Sequence, residues 1–202
     1  MVYGIAKMLN FAHGDVIMIG SYVVYFAFGA SGLNPVLSIV LSMIVCTILG
    51  VVIERLAYRP LREAPSLAVL ITAIGVSYLL QQVAQLSWSS NPKSFTSVVS
   101  GMKPVSLFGG QLTISAETIV TIVACVVIMV VLLWFVNYTP AGHAMLAVSE
   151  DRGAAQLMGV NVNGTISLTF AIGSALAAIA GALLCSSYPT LQPTTGAMPG
   201  IK

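Results

Sequence analysis

Residues 116–136 read AETIVTIVACVVIMVVLLWFV, an apolar run whose one charged side chain, Glu117, stands at its start. A helix needs roughly 20 such residues to cross a bilayer. Windows of about 19 residues pick out four further runs, at 14–30, 35–53, 67–86 and 166–184, the first being the weakest. Composition agrees: 57% of the chain is hydrophobic and 7% charged, against about 25% charged in soluble domains. Mean hydropathy is +0.97. The sequence therefore predicts an all-α fold, a polytopic membrane helix bundle of about five transmembrane spans.

The connections between runs set the expected topology. Ser31-Gly32-Leu33-Asn34-Pro35 is a tight turn whose proline suits the first position of the next helix, so the first two spans form a hairpin. The next connection, 54–66 (ERLAYRPLREAPS), packs Arg55, Arg59 and Arg62 into one short loop. Arginine-rich short loops stay on the cytoplasmic side. Alternation then puts residues 87–115 outside as an external loop, 142–163 inside, and the chain after Ser186 outside. Pro92, Gly101, Pro104 and Gly109-Gly110 mix with β-favouring residues at 95–99, so a turn-rich external loop with a hairpin is expected. In the fifth run Gly173, Ala177 and Gly181 recur every fourth residue, a pattern that lets helix backbones approach closely in lipid.

Between the last two runs lies GHAMLAVSEDRGAAQLMGVNVN, residues 142–163. Ser149 is a candidate N-cap, Glu150 and Asp151 put negative charge in a first turn, and Gly159 supplies a stop. Ala154, Leu157 and Met158 then fall at i, i+3 and i+4, on one apolar side. The piece is too short to span a bilayer and must lie beside it. The pattern alone leaves two readings, a connecting helix that covers its own loop and a surface that docks a partner.

Polar residues inside apolar runs are the other candidates. Gln81, Gln82 and Gln85 crowd one end of the third run, with Thr72 and Ser77 deeper in it. Buried amides need partners, so these residues line a path through the bundle or sit at the interface, where water satisfies them. The NFAHGD stretch places Asn10, His13 and Asp15 around a glycine at the head of the first run. It reads equally as an interrupted helix near the midplane or as a loop end. Asn10, His13, Asp15, Thr72, Ser77 and Gln81 are the candidate path residues, and no acidic residue is expected at a span centre.

A net charge of +2 on few ionisable groups suggests no nucleic acid partner. Cys46, Cys125 and Cys185 stand singly, without metal-ligand spacing, so neither a metal nor a disulfide framework is expected. The chain carries no GxxxxGK[ST] loop and no defensible Ser/His/Asp pattern, so no catalytic residue and no cofactor is assigned and the chain does not read as an enzyme.

Three segments together resemble the membrane-spanning permeases of ABC transporters for branched-chain amino acids, the hydrophobic amino acid uptake family. They are MVYGIAKMLNFAHGDVIMIGSYVVY (1–25), IERLAYRPLREAPSLAVLITAIGVSYLLQ (53–81) and AVSEDRGAAQLMGVNVN (147–163). NFAHG and AYRPLR in that order are the specific signature, and only the segment from Trp88 to Ser115 departs. The resemblance implies a multi-pass protein of the cell's inner or plasma membrane, a single permease domain over 1–202 that is incomplete at both ends. It also implies half of a translocation path, and partners: ATP-binding cassette ATPase subunits, a second permease subunit, an extracytoplasmic solute-binding protein and the amino-acid substrate. Segment 142–163 becomes a cytoplasmic coupling loop in which Ala147, Glu150, Asp151, Ala154, Ala155 and Gly159 meet the ATPase. Related sequences carry basic residues near His143 and Leu146 and a charge near Gly153, all absent here. Gly153 inside a short helix costs about 0.5–1 kcal/mol relative to alanine, so the helix is expected to order on binding. Two other readings remain: an ATP-independent secondary transporter, and a membrane scaffold that transports nothing.

Overall fold

The computed structural model describes residues 12–62, 64–95, 97, 99, 105–107 and 112–196. Asn10 lies outside them. Helix α1 (His13–Val24) continues as a π-helical segment, Tyr25–Ala30. Helix α2 (Pro35–Ile53) is capped by Asn34, whose side chain accepts from the Val36 N–H, with Pro35 at the first position. It runs on through Glu54–Tyr58 and Arg59–Leu61, so much of the arginine-bearing connection is helical. Helix α3 (Ser66–Trp88) leads to short strands, and α4 (Ala116–Tyr138) begins at a Ser115 cap. Two further helices, α5 (Pro140–Glu150) and α6 (Arg152–Leu157), precede the long α7 (Val162–Ser187).

Four of these helices are long and apolar enough to cross a membrane: Pro35–Leu61, Leu67–Trp88, Ala116–Tyr138 and Val162–Ser187. They coincide with four of the expected runs. The weak first run, α1, is shorter and sits between α2, α3 and α7, with Val16, Met18, Tyr22 and Val24 buried.

Helix α2 shows why the bundle belongs in lipid. Its buried stripe is Ser38, Ser42, Cys46 and Gly50, at four-residue spacing, while Val36, Leu37, Val40, Leu41, Ile44 and Ile48 face outward. That reverses the pattern of a soluble helix: small, faintly polar residues pack inside and large apolar ones meet the surroundings. The inner hydroxyls and thiol find backbone acceptors. Ser42 donates to the Gly20 carbonyl at 2.8 Å and Cys46 to the Val16 carbonyl at 3.6 Å. Helix α4 is apolar on all sides and has none of its most apolar stretch buried within this chain.

The small-residue stripe of α7 packs as its spacing suggested. Gly173, Ala177, Ala178 and Gly181 are buried, and a Cβ on Gly181 would stand 2.5 Å from the Ile17 carbonyl oxygen of α1. A Cβ on Gly50 of α2 would overlap the Ser174 hydroxyl of α7. Gly50→Val is therefore expected to destabilise the bundle by about 2 kcal/mol or more, since overpacked cores cost 1–3 kcal/mol and Ser174 Cβ, 2.6 Å from that position, moves only with its own helix. A lowered thermal midpoint in detergent checks this, and an unchanged one would contradict the packing described.

At the end where α3 and α7 finish, β1 (Lys93–Ser94) pairs antiparallel with β4 (Thr190–Leu191), tying the 87–115 segment to the chain after α7. β2 (Val105–Leu107) and β3 (Leu112–Ile114) make the expected antiparallel hairpin. Its glycine turn and most of 95–104 fall outside the described residues. The connection 54–66 and the α5–α6 pair lie together at the opposite end.

Candidate functional site

The segment between the last two spans is more helical than its sequence suggested. Thr139 accepts a hydrogen bond from the Gly142 N–H at 3.0 Å, and Pro140 occupies the first helical position. This cap starts α5, a helix missing from the sequence reading, although Thr-Pro ahead of alternating small and apolar residues is a recognisable start signal. Met145 and Val148 anchor α5 to the bundle.

Because α5 runs through Glu150, Ser149 cannot cap the next helix. Its hydroxyl donates back to the Leu146 carbonyl at 2.6 Å. Asp151 is the cap instead: its backbone is extended and its Oδ1 accepts from the N–H groups of Gly153 (2.7 Å) and Ala154 (3.1 Å). Gly153 thus sits in the first turn, where its flexibility costs less than in a helix interior. Gly159 ends α6 at φ +85°, a left-handed conformation glycine adopts without strain, and the Val160 N–H bonds back to the Ala155 carbonyl at 3.0 Å. Asn161 then caps α7 through the Gly164 N–H.

Of the six candidate coupling residues, Ala147, Glu150, Asp151, Ala154 and Gly159 are exposed. Ala155 is 4% exposed and packs into the core, so it anchors α6 rather than presenting a surface. Leu157 and Met158, which the spacing put on the apolar side, are 90% and 85% exposed. The helix does not cover its own loop with its two largest apolar side chains. Replacing the cap is expected to matter modestly. Asp151→Ala should destabilise α6 by about 1 kcal/mol while Asp151→Ser keeps most of it, seen as faster amide exchange at residues 153–157 in the alanine variant only.

Three of the candidate path residues come together. Gln81 Nε2 donates to Asp15 Oδ1 at 2.9 Å and lies 3.3 Å from the Ser77 hydroxyl. Asp15 is 1% exposed. Its neighbour Val16 accepts from the Cys46 thiol, a point about 17 Å from the Pro35 end of α2 at 1.5 Å per residue. Asp15 stands in the first turn of α1, at the head of its own run, and is enclosed by the bundle rather than solvated. Gln81 is satisfied by protein rather than by interfacial water alone. Thr72 is half-buried on α3, about 140° around the axis from Ser77 at 100° per residue. His13 is half-buried at the start of α1.

A second polar cluster was not anticipated. Glu54, fully buried, accepts from Arg62 through Oε1 and from the Ser167 hydroxyl through Oε2 at 2.6 Å, while Arg62 also reaches Asn163 Oδ1. It ties the end of α2 to the start of α7. Among the described residues no group of three metal-ligating side chains forms.

A bundle of long apolar helices sealed by glycine seams, with a polar cluster buried inside it, defines a multi-pass membrane protein. The whole chain, residues 1–202, matches the family described as branched-chain amino acid transport system / permease component, and it belongs to that family. It is 40% identical to the high-affinity branched-chain amino acid transport system permease protein BraD of Pseudomonas aeruginosa, over all of this chain and 69% of that protein. Identity to the corresponding permease protein LivH of Escherichia coli K12 is 38%, over all of this chain and 68% of the relative. A more distant likeness, 27% over 85% of this chain and 46% of the relative, is to the fructose import permease protein FrcC of Rhizobium meliloti. No solved structure matches.

Proposed function

We propose that this chain is the membrane-spanning subunit of an ATP-driven importer, providing half of a translocation path for branched-chain amino acids. In this reading the 142–163 and 54–66 segments face the cytoplasm, and α6 docks into an ATP-binding cassette ATPase. An extracytoplasmic solute-binding protein delivers substrate, and a second permease subunit completes the path. The exposed Leu157 and Met158 carry the reading. A short helix fixed at both ends by Asp151 and Gly159, presenting two bare apolar side chains, is a rigid handle, and rigid apolar anchors dominate interface energies. With no nucleotide-binding loop in its own sequence, the chain would draw its energy from that partner.

One observation favours the runner-up. A carboxylate buried among the helices, such as Asp15, is the kind of group that ion-coupled carriers use. Proteoliposome uptake of leucine separates the two. An ATP-driven importer takes up leucine with luminal or external ATP as orientation requires, and ignores collapse of the proton and sodium gradients. Uptake abolished by ionophores and indifferent to ATP would sink the proposal. Uptake in neither condition would leave the scaffold reading standing. A Glu150→Lys, Asp151→Lys double variant is expected to lose ATP-dependent uptake, through charge reversal at the docking helix.

A further inference from the structure

Two kinds of seam surround α1. Against α2 and α7 it is closed by missing side chains: a Cβ on Gly20 would stand 2.9 Å from Ala178 Cα, and one on Gly181 2.5 Å from the Ile17 carbonyl oxygen. Such seams are dry and leave no space for a solute. The seam with α3 is built from side chains instead. Gln81 reaches Asp15, and Tyr22 stacks on Trp88 with ring centroids 4.5 Å apart. Side-chain rearrangement alone can therefore open α1 from α3, whereas the other seams require backbones to part.

Among the described residues the lining of this seam is polar and carries a carboxylate with no cation on it. No ion pair joins Asp15 among the described residues, and its bonded neighbours are neutral, the Gln81 amide and the Ser77 hydroxyl. A buried carboxylate is costly without a cation, and a neutral donor offsets only part of that cost. Two turns along the same face, the Tyr22 hydroxyl is buried with no hydrogen-bond partner, although a buried tyrosine ordinarily finds one. The third wall is irregular backbone. After β4 the chain turns back so that Gly196 packs on the Gly14 carbonyl, next to Asp15. Non-helical backbone at membrane depth is tolerated where protein encloses it or where it lines a wet cavity.

We infer that Asp15 is the ammonium-recognition point of the path, and that the α1–α3 seam takes a zwitterionic amino acid rather than an anion or a sugar. The substrate's ammonium group replaces the Gln81 amide on the carboxylate, and the freed amide turns its N–H groups to the substrate carboxylate. Met18 and Ala84, both buried in the adjoining cluster, supply apolar surface for the side chain. This inference rests on the reading of the chain as an amino-acid permease.

The test uses the assembled transporter in proteoliposomes. Asp15→Asn keeps the side chain's size and an acceptor oxygen for Gln81, and replaces the charged carboxylate by a neutral amide. ATP-dependent L-leucine uptake per assembled complex is expected to fall at least about tenfold. Charge at the site is read separately, in a chain carrying Cys46→Ser, Cys125→Ser, Cys185→Ser and Ser77→Cys. There, cationic 2-aminoethyl methanethiosulfonate should modify Cys at position 77 at least about tenfold faster than the anionic 2-sulfonatoethyl reagent, relative to their rates with free cysteine. Adding Asp15→Asn should abolish the preference. Uptake in Asp15→Asn within twofold of wild type overturns the inference, as does labelling without cation preference. If Asp15→Asn fails to assemble, the labelling of the Asp15 chain decides alone. A wild-type transporter that imports no leucine on ATP overturns the proposed function and this inference with it, whereas wild-type import with an indifferent Asp15→Asn overturns this inference only.

Discussion

Glutamate at positions 157 and 158 together is expected to strip the chain of its ATPase partner while leaving its own fold intact. Leu157 and Met158 are 90% and 85% exposed, so they contribute almost nothing to internal packing and their replacement should not move the thermal midpoint. At an interface the same two side chains are the largest apolar surface on α6. Buried anchors of this kind commonly cost 2 kcal/mol or more each when lost, and a carboxylate forced into the same pocket adds its desolvation. A combined loss of at least about 4 kcal/mol is a factor of roughly 1,000 or more in affinity. In a pull-down of the tagged chain co-expressed with the ATPase, that is the difference between a stoichiometric band and none. Ala155→Glu provides the contrast, because Ala155 is 4% exposed and faces the core. It should lower stability first and binding only as a consequence. If the Leu157→Glu, Met158→Glu chain still recovers the ATPase in wild-type amount, α6 is a connecting helix and the coupling reading fails.

The spans were legible in the sequence because the bilayer imposes one rule, length times hydropathy, that needs no knowledge of neighbours. Runs expected at 35–53, 67–86, 116–136 and 166–184 meet helices Pro35–Ile53, Ser66–Trp88, Ala116–Tyr138 and Val162–Ser187 within a few residues. The stripe through Gly173, Ala177 and Gly181 was equally readable, since small residues at helical spacing have one structural use in lipid. Segment 142–163 was half-readable. Its stop is Gly159, as the sequence indicates, but the cap is Asp151, which the sequence suggests only as first-turn charge behind a Ser149 cap. The choice was made upstream, where Thr139 and Pro140 started a helix that absorbed Ser149 into its last turn. The meeting of Asp15 with Gln81 was not readable at all. The two stand 66 positions apart, and only the packing of α1 against α3 sets which polar residue of one run faces which of the other. The Glu54 cluster escaped notice for a related reason. A glutamate beside three arginines looks like a solvated loop until α2 is seen to carry it, as helix, into the bundle.

That cluster should be the most fragile polar element of the chain. Glu54 is wholly buried, with Arg62 on one carboxylate oxygen and Ser167 on the other. Arg62→Ala leaves the carboxylate inside without its cation, and breaking a buried pair in this way costs about 3–5 kcal/mol. For a chain whose total stability is on the order of 5–15 kcal/mol, much of the folded population is then at risk. Ser167→Ala removes one hydrogen bond to a charged group and should cost about 1.5–3 kcal/mol. Glu54→Met with Arg62→Met removes both charges together, and ion pairs exchanged for apolar side chains of similar volume are often neutral or better. The double variant should therefore be markedly more stable than Arg62→Ala, an ordering that a simple count of lost contacts would reverse. Thermal unfolding of the three variants in detergent gives the comparison directly. Equal midpoints for Arg62→Ala and wild type would mean that Glu54 is hydrated, contrary to its burial. A double variant as unstable as Arg62→Ala would mean that the cluster's geometry, rather than its charge balance, holds the end of α2 against the start of α7.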